Sequence, residues 1–281
     1  MVVILQPNIF KNKTILITGA ASGIGRGLAI HAASEKMNII LIDIDEEGLK
    51  ETQSLIHNSS SLTLKCDVSN FKELSQCKEQ IIEQYGRVHF LFNNAGIFLE
   101  GRSWKVDNQN WKRIIDVNVM SIVYGLNLFV DEMIASNERC HIVNTSSMAG
   151  LIVGPAFSPY TATKHAVVGL TRSLYEDLKN EYPKIGVSVL CPGLVKTNIM
   201  KRDKSGLNLD NSAIDQHETA TLNKEWLGEG VKNGMDPIDL AKIVFDKINK
   251  NEFWILTHPE FLEVYKEYSN ELILSETATL N

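Results

Sequence analysis

Short apolar runs alternate with longer amphipathic stretches along most of the chain. Runs such as residues 15–17 (ILI) and 39–42 (IILI) are apolar and rich in isoleucine, which is typical of strands buried in a parallel sheet. Seven runs are predicted as strands, at positions 13–18, 38–43, 62–66, 88–92, 141–145, 186–191 and 253–257. The stretches between them predict helices at positions 24–35, 46–56, 69–85, 109–133, 158–180 and 237–250, with a last helix after residue 259.

Strands that alternate with helices indicate right-handed crossovers and a parallel sheet. The predicted fold class is therefore α/β: a doubly wound, Rossmann-type parallel sheet of seven strands with helices on both faces, formed by residues 1–281 as a single domain. Ser69 is predicted to cap the third helix, and Gly86 is predicted to end it. Ligands bind at the carboxyl ends of the strands in this architecture, so we expect the functional side chains there.

The segment at positions 197–235 interrupts this alternation. Its part at 201–215 is polar and rich in Asn and Asp, whereas Trp226 and Leu227 offer apolar surface further on. Long segments of this kind inside a compact domain are commonly lids or binding loops. We expect a substrate lid, and the alternative is an ordered surface excursion that has no part in binding.

The composition is typical of a globular protein in solution. The 281 residues are 44% hydrophobic and 22% charged, and no apolar run approaches the ~20 residues that span a bilayer. The net charge of −6 argues against binding to nucleic acid or to an anionic membrane. The four cysteines lie far apart without metal-ligand spacing, which predicts reduced thiols, a cytoplasmic location and no metal site.

A glycine-rich turn follows the first predicted strand, where residues 18–25 read TGAASGIG. Glycines let the backbone approach a pyrophosphate, and the amino end of the following helix supplies N–H donors. The spacing is Gly-x3-Gly-x-Gly and differs from the common Gly-x-Gly-x-x-Gly fingerprint. Because the turn lies between the first strand and a helix of an α/β chain, it predicts a dinucleotide site.

Asp43 ends the second predicted strand, eighteen residues after Gly25. A carboxylate at this place accepts hydrogen bonds from the adenosine ribose and repels a 2′-phosphate. No basic residue stands at Ser22 or Ile44, where it could receive that phosphate. The sequence therefore favours NAD over NADP, although acidic residues are also common at strand ends that bind nothing.

Tyr160 and Lys164 are four residues apart and share one face of a predicted helix. A phenol titrates near pH ~10, and an ammonium beside it favours the phenolate and lowers its pKa. Such a pair can pass a proton to or from an alcohol or carbonyl oxygen. Tyrosine and lysine at this spacing also occur on many solvated helices, so the pair needs support from the rest of the chain.

That support comes from five motifs that together resemble the short-chain dehydrogenase/reductase family, in its form of about this length. They follow the order and spacing of that family across residues 13–257. The motifs are the turn at 18–25, NNAG at 93–96, Ser147, the Tyr160–Lys164 pair, and PG at 192–193.

The resemblance implies a catalytic set of four residues. Tyr160 would be the general acid and base, and Lys164 would lower its pKa and hold the nicotinamide ribose. Ser147, thirteen residues before Tyr160, would bind the substrate oxygen. Asn118 would hold a water of the proton relay through its backbone carbonyl.

The resemblance also implies which residues bind the cofactor. They are Gly19, Ser22, Gly23, Ile24, Gly25, Asp43, Ile44, Asp67, Val68, Asn94, Ala95, Gly96, Tyr160, Lys164, Pro192, Gly193, Val195 and Thr197. Mostly apolar residues flank the expected catalytic site, and they predict either a pocket for a lipophilic or ring-containing substrate or simply core. The candidate substrate residues are Ser147, Phe98, Met148, Phe157 and Leu194.

The activity implied by the resemblance interconverts a secondary alcohol and a ketone by hydride transfer to or from NAD. One alternative is a carbonyl reductase that uses NADPH. Another, in a different class, is a dinucleotide-sensing scaffold without catalysis, against which the intact Ser147, Tyr160 and Lys164 argue. The expected partners are a small alcohol or ketone substrate and further copies of the chain. The resemblance suggests a homodimer or homotetramer built on the helices around 111–133 and 158–180.

Overall fold

The computed structural model describes residues 8–57, 59–201, 204–208, 215 and 217–279. Its strands are β1 (Thr14–Thr18), β2 (Asn38–Asp43), β3 (Ser61–Lys65), β4 (Phe90–Asn93), β5 (Cys140–Thr145), β6 (Ile185–Cys191) and β7 (Trp254–Leu256). They form one seven-stranded sheet in the order β3-β2-β1-β4-β5-β6-β7, with every neighbouring pair parallel. The predicted doubly wound α/β fold is confirmed, and the strands begin and end within two residues of the predicted bounds.

Helices cover both faces of this sheet. They are α1 (Gly23–Ser34), α2 (Glu46–Ser54), α3 (Phe71–Tyr85), α4 (Asn108–Ile115), α5 (Ser121–Ser136), α6 (Ser158–Leu178), α7 (Glu218–Lys232), α8 (Pro237–Asn249) and α9 (Leu262–Thr279). Side chains alternate along each strand, so β1 sends Ile15 and Ile17 into the layer of α1 and α8. Leu16 enters the opposite layer, which α3 and α5 cover. The apolar strands are thus buried on both faces, as the runs of isoleucine and valine require.

Three local features differ from the sequence-based expectation. The helix predicted at 109–133 consists of α4 and α5 joined by a π-helical turn, Asp116–Met120. Asn70 rather than Ser69 caps α3, because its side chain accepts hydrogen bonds from the backbone N–H groups of Lys72 and Glu73. Helix α7 lies inside the segment predicted as a lid, which is therefore not a loop throughout.

The continuous helical segment at 108–136 is, within the described part of the chain, the one that is long and apolar enough to cross a membrane. Length and composition alone do not distinguish such a helix from a core helix. Ile114, Ile122, Phe129 and Met133 on this segment are buried, and the last two pack in the core beneath the sheet. The segment therefore uses its apolar side as part of the fold.

Candidate active site

A cavity of about 800 Å³ opens at the carboxyl ends of the strands. Loops after β1 to β6 form its walls, which is the arrangement expected where the strand order of a doubly wound sheet reverses between β1 and β4. The predicted residues on its walls are Gly19, Ser22, Gly23, Ile24, Asp43, Ile44, Asp67, Val68, Asn94, Ala95, Gly96, Phe98, Ser147, Met148, Phe157, Tyr160, Lys164, Pro192, Gly193, Leu194, Val195 and Thr197. Gly25 and Asn118 are predicted residues that do not line it.

The glycine turn after β1 needs glycine for its conformation and for space. Gly19 has φ 68° and Gly23 has φ 53°, a left-handed region that other residues rarely adopt. A Cβ on Gly19 would lie 2.8 Å from the Cα of Ala95, and a Cβ on Gly23 would lie 2.9 Å from the Cβ of Thr197. The turn thus leaves backbone rather than side chain at the amino end of α1, where a phosphate can approach.

Gly25 serves packing rather than the cavity wall. A Cβ at this position would lie 2.1 Å from the carbonyl oxygen of Gly19, so no larger residue fits where α1 leaves the turn. Its effect on a bound nucleotide is therefore indirect, through the shape of the turn. The spacing of the motif could not separate this role from direct binding.

Asp43 lies at one end of the cavity and holds the turn together. Its Oδ2 accepts a hydrogen bond from Ala21 N at 2.9 Å, and its Oδ1 accepts one from Asp45 N at 2.9 Å. Burial raises the pKa of the Asp43 carboxyl, and these backbone hydrogen bonds oppose that rise. Asp43 and Ile44 both line this end of the cavity.

Two basic side chains that the sequence analysis missed lie at this same end of the cavity, Arg26 and Lys204. Arg26 Nη2 lies 2.8 Å from Glu51 Oε2 and donates to the carbonyl oxygen of Ala21 at 2.6 Å. Lys204 Nζ lies 2.6 Å from Asp45 Oδ1. Both lie near Asp43 and Ile44 in the fold but not next to them in the sequence. Positions 22 and 44, where a basic residue could receive the phosphate, therefore did not reveal them.

Residues 204–208 of the predicted lid lie against α4, and Lys204 and Ser205 line the cavity. Arg113 Nε donates to the carbonyl oxygen of Ser205 at 2.9 Å, and its Nη1 reaches Asp67 Oδ2 at 3.0 Å. Asn110 and Asn208 exchange two hydrogen bonds of 2.8 and 2.7 Å. Residues 204–208 are therefore attached to the rim at β3 and α4. Positions 202–203, 209–214 and 216 of the predicted lid lie outside the described residues.

Tyr160, Lys164 and Ser147 meet deep in the cavity. Lys164 Nζ donates to the carbonyl oxygen of Thr145 at 3.0 Å and lies 5.6 Å from the centre of the Tyr160 ring. Thr145 ends β5, and Ser147 follows two residues later with its Oγ accepting from Ala149 N at 3.1 Å. The carboxyl end of β5 and the first turns of α6 thus bring the three groups together.

Burial changes the acidity of both titratable groups in this cluster. It raises the pKa of Tyr160 to about 12, against the opposing effect of a hydrogen bond with Ser147. It lowers the pKa of Lys164 to about 8. Loss of water disfavours the charged form of each group, so burial opposes the lowering of the Tyr160 pKa that is expected from Lys164.

Asn118 is fully buried on the π-helical turn, away from the cavity wall. Its Oδ1 accepts from Ile97 N at 2.8 Å, and its Nδ2 donates to the carbonyl oxygen of Ile97 at 3.0 Å. The same Nδ2 donates to Thr163 Oγ1 at 3.1 Å. The side chain therefore ties the loop after β4 to α6, one residue before Lys164.

The end of the cavity beyond Tyr160 is apolar. The rings of Phe98 and Tyr160 meet edge to face with centres 5.1 Å apart, and Phe98 also contacts Phe157. The apolar wall there consists of Phe98, Met148, Ile152, Val153, Phe157, Leu194, Ile199, Trp226, Leu227, Val231 and Phe261. Trp226 and Leu227 belong to α7, so the segment after β6 supplies part of this wall. Leu151 and Met200, which flank the motifs in sequence, are not part of it.

One cavity thus combines a glycine turn at a helix amino end, a carboxylate at the end of β2 and a tyrosine–lysine–serine cluster. This combination defines a dinucleotide-binding oxidoreductase. The family model described as "short chain dehydrogenase" matches residues 13–208, and the chain belongs to the short-chain dehydrogenase/reductase family.

Similar proteins come from several organisms. The chain is 35% identical over 258 residues to a "CLA biosynthesis dehydrogenase/reductase" of Lactiplantibacillus plantarum, and the aligned residues cover 90% of each chain. It is 32% identical over 201 residues to a cyclohexanol dehydrogenase of an Acinetobacter strain, covering 70% of this chain and 78% of that protein. A crystal structure of a short-chain dehydrogenase from Burkholderia phymatum in complex with NAD superimposes with a TM-score of 0.89 at 35% identity, covering 95% of this chain and 96% of that one.

Proposed function

We propose that this protein interconverts a secondary alcohol and a ketone by hydride transfer to or from NAD. One observation carries the proposal: Tyr160, Lys164 and Ser147 lie where the polar, glycine-lined part of the cavity meets its apolar part. A nucleotide in the first part and an apolar substrate in the second would meet at these three side chains. The relatives named for alcohol or reductase chemistry support the same reaction class.

NAD is the cofactor that we propose, and Asp43 is the main reason. Asp43 lines the end of the cavity that we assign to the adenosine, where its carboxylate would repel a 2′-phosphate. The similar Burkholderia phymatum protein was crystallised with NAD. The alternative, an NADPH-dependent carbonyl reductase, is favoured by Arg26 and Lys204 at the same end, but both cations are already engaged by carboxylates of this chain.

Different loops of this chain would bind different parts of the cofactor. The turn at 18–25 would receive the pyrophosphate, Asp67 and Val68 would contact the adenine, and the residues at 93–96 and 192–197 would enclose the nicotinamide end. Lys164 would hold the nicotinamide ribose. Bound NAD supplies the acceptor for the hydride, and the protein supplies orientation and proton transfer.

In alcohol oxidation Tyr160 would take the hydroxyl proton while the carbinol hydrogen leaves as hydride. Ser147 would donate a hydrogen bond to the oxygen on which charge changes. The Lys164 ammonium, held by the Thr145 carbonyl, would stabilise the tyrosinate in surroundings from which water is excluded. Asn118 would act through Ile97 and Thr163 as a support for this arrangement, in addition to any role of its backbone carbonyl.

The substrate that we propose is lipophilic, with a ring or a chain next to its carbinol carbon. The aromatic and aliphatic wall beyond Tyr160 supports this, because it offers apolar contact with few polar partners. A soluble, cytoplasmic homodimer or homotetramer is the form in which we expect the enzyme to act. The non-catalytic scaffold is disfavoured because a binding protein does not require Tyr160 and Lys164 side by side at the cavity.

The direct test mixes the protein with NAD and a panel of secondary alcohols of increasing ring size and chain length, and follows NADH fluorescence. We expect NADH to form with apolar alcohols, at a higher rate than with small polar alcohols. Parallel reactions with NADP, and with NADPH and the matching ketones, distinguish the carbonyl reductase. Binding of NADH without turnover of any alcohol or ketone would favour the scaffold.

We predict that Tyr160→Phe loses nearly all turnover but still binds NAD. The phenol oxygen is the proposed proton acceptor, and such proton transfer contributes ~10²-fold or more. The measurement is kcat together with NAD affinity. Tyr175→Phe is the matched control, because Tyr175 lies on the same helix and packs against Phe253 with ring centres 4.9 Å apart. Retention of more than about a tenth of kcat in Tyr160→Phe would remove Tyr160 from this role.

We predict that alcohol oxidation speeds up with rising pH and that ketone reduction slows down. Oxidation needs the deprotonated tyrosine, whose pKa burial raises to about 12, and reduction needs the protonated form. Lys164→Met removes the cation that favours the tyrosinate, so the rise of the oxidation rate should move to higher pH. The measurement is kcat/KM against pH in both directions, and an unchanged profile in Lys164→Met would contradict the proposed pairing.

We predict that Asp43→Ser combined with Ile44→Arg shifts kcat/KM from NAD toward NADP. The change removes a carboxylate that repels phosphate and adds a guanidinium that binds it. The single variant Asp43→Ser serves as control and should lower NAD use without creating strong NADP use. If the unmodified protein already prefers NADP, the assignment of Asp43 is wrong.

The segment at 197–235 is proposed as a lid over the cofactor and substrate. Its α7 face, with Trp226 and Leu227, lines the apolar end of the cavity, while residues 204–208 reach the adenosine end. Movement of these parts would admit ligands, and closure would exclude water from the reaction.

We predict that hydrogen exchange in residues 204–208 and 218–232 slows when NAD and a substrate analogue are both present, and slows less with NAD alone. Closure over two ligands protects more backbone than closure over one. Helix α9 provides the internal reference, because it lies outside the cavity wall. Equal exchange rates in all three states would show that the segment is an ordered excursion without a role in binding.

A further inference from the structure

His258 lies two residues after the end of β7 and makes three hydrogen bonds that the proposed reaction does not use. Its Nδ1 accepts from the backbone N–H of Gly193 at 3.1 Å, and its Nε2 lies 3.0 Å from the carbonyl oxygen of Leu194. The hydroxyl of Thr257 lies 2.8 Å from the same Nδ1. A backbone N–H only donates and a carbonyl only accepts, so these contacts require a neutral ring with its proton on Nε2.

The imidazole also lies against Gly193 more closely than any other residue at that position would allow. A Cβ on Gly193 would lie 2.6 Å from Cγ of the ring. The glycine after Pro192 is therefore needed for its contact with His258. The pair of residues at 192–193 and His258, 65 positions later, form one packed unit.

This unit connects to the catalytic serine. The carbonyl oxygen of Pro192 accepts from Met148 N at 2.9 Å, and Met148 directly follows Ser147. On its other side the loop is held by Met235, whose N–H donates to the Leu194 carbonyl at 2.9 Å. The Leu194 carbonyl is thus held from two directions, by Met235 and by His258.

We infer that His258 is a positioning residue that sets the loop at 192–195 against the nicotinamide end of the cofactor and, through Pro192, fixes the turn of Ser147. The inference rests on the proposed function, because it assigns that loop to the nicotinamide. His258 acts on one end of the cofactor only. The adenosine end, at Asp43 and the glycine turn, is formed by other loops.

The test compares the affinity of the protein for NADH with its affinity for ADP-ribose, which lacks the nicotinamide, in the absence of any substrate. His258→Leu removes both hydrogen bonds to the loop and should weaken NADH binding about tenfold, with ADP-ribose binding unchanged within about twofold. His258→Asn retains an oxygen that can accept from Gly193 N–H, and it should recover part of the loss. Where an alcohol substrate is known, kcat should fall in the same order.

Two further variants distinguish the proposed positioning effect from a general loss of folding. His141→Asn is the matched control, because His141 is a buried histidine on β5 whose Nε2 lies 2.7 Å from Ser188 Oγ, away from the cavity. It should leave both affinities unchanged even if it lowers the Tm. Gly193→Ala pushes the His258 ring away without changing it, and it should reproduce the selective loss of NADH affinity seen in His258→Leu.

The outcomes separate this inference from the proposed function. Failure of the unmodified protein to bind NADH, NADPH and ADP-ribose would reject the proposed function itself. If NADH binds normally to that protein, equal weakening of NADH and ADP-ribose in His258→Leu and Gly193→Ala would overturn the positioning role, because the whole cleft would then be loosened. Unchanged NADH affinity in both variants would overturn it as well.

Discussion

The placement of the partly buried Tyr160 phenol beside the buried Lys164 ammonium is the constraint on which the rest of this site depends. Away from water, each charged form is disfavoured, which gives Tyr160 a pKa of about 12 and Lys164 a pKa of about 8. Such a pair becomes useful only if its surroundings hold the ammonium and supply charge where the proton moves. The Thr145 carbonyl at the end of β5 holds Lys164 at 3.0 Å, so the register of β5 against α6 sets the geometry of the site.

The parallel sheet places the other residues of the site near this pair, because its strands all end at the same edge. Parallel strands end at one edge, and the reversal of order between β1 and β4 opens a cleft there. Glycines let two pairs of loops approach closely: the turn after β1 meets Ala95 after β4, and Gly193 after β6 meets His258 after β7. Close backbone contact at these points leaves the volume for a ligand between the loops rather than within them. This arrangement agrees with the family match over residues 13–208, whereas the proposal of a lipophilic substrate rests on the apolar wall to which α7 contributes.

The sequence predicted those features that depend on neighbours along the chain. Strand runs, the glycine turn, Asp43 and the Tyr160–Lys164 spacing are of this kind. Contacts between distant segments were beyond it: Lys204 reaches Asp45 through space, and His258 reaches Gly193 across 65 positions. Asn118 on the π-helical turn bonds Ile97 and Thr163, which are distant along the chain, and no local sequence pattern predicted the turn. Burial raises the pKa of Tyr160, an effect that the spacing could not predict, because solvation is a property of the folded chain.

The central claim is that a secondary alcohol in the apolar part of the cavity gives its carbinol hydrogen to NAD in the polar part. A reaction with NAD and an alcohol that carries deuterium at the carbinol carbon tests it most directly, with mass spectrometry of the reduced cofactor. The account predicts one deuterium in each NADH formed and one ketone for each NADH. It also predicts a slower rate than with the unlabelled alcohol if hydride transfer limits turnover. Reduced cofactor without deuterium, or ketone without reduced cofactor, would contradict it.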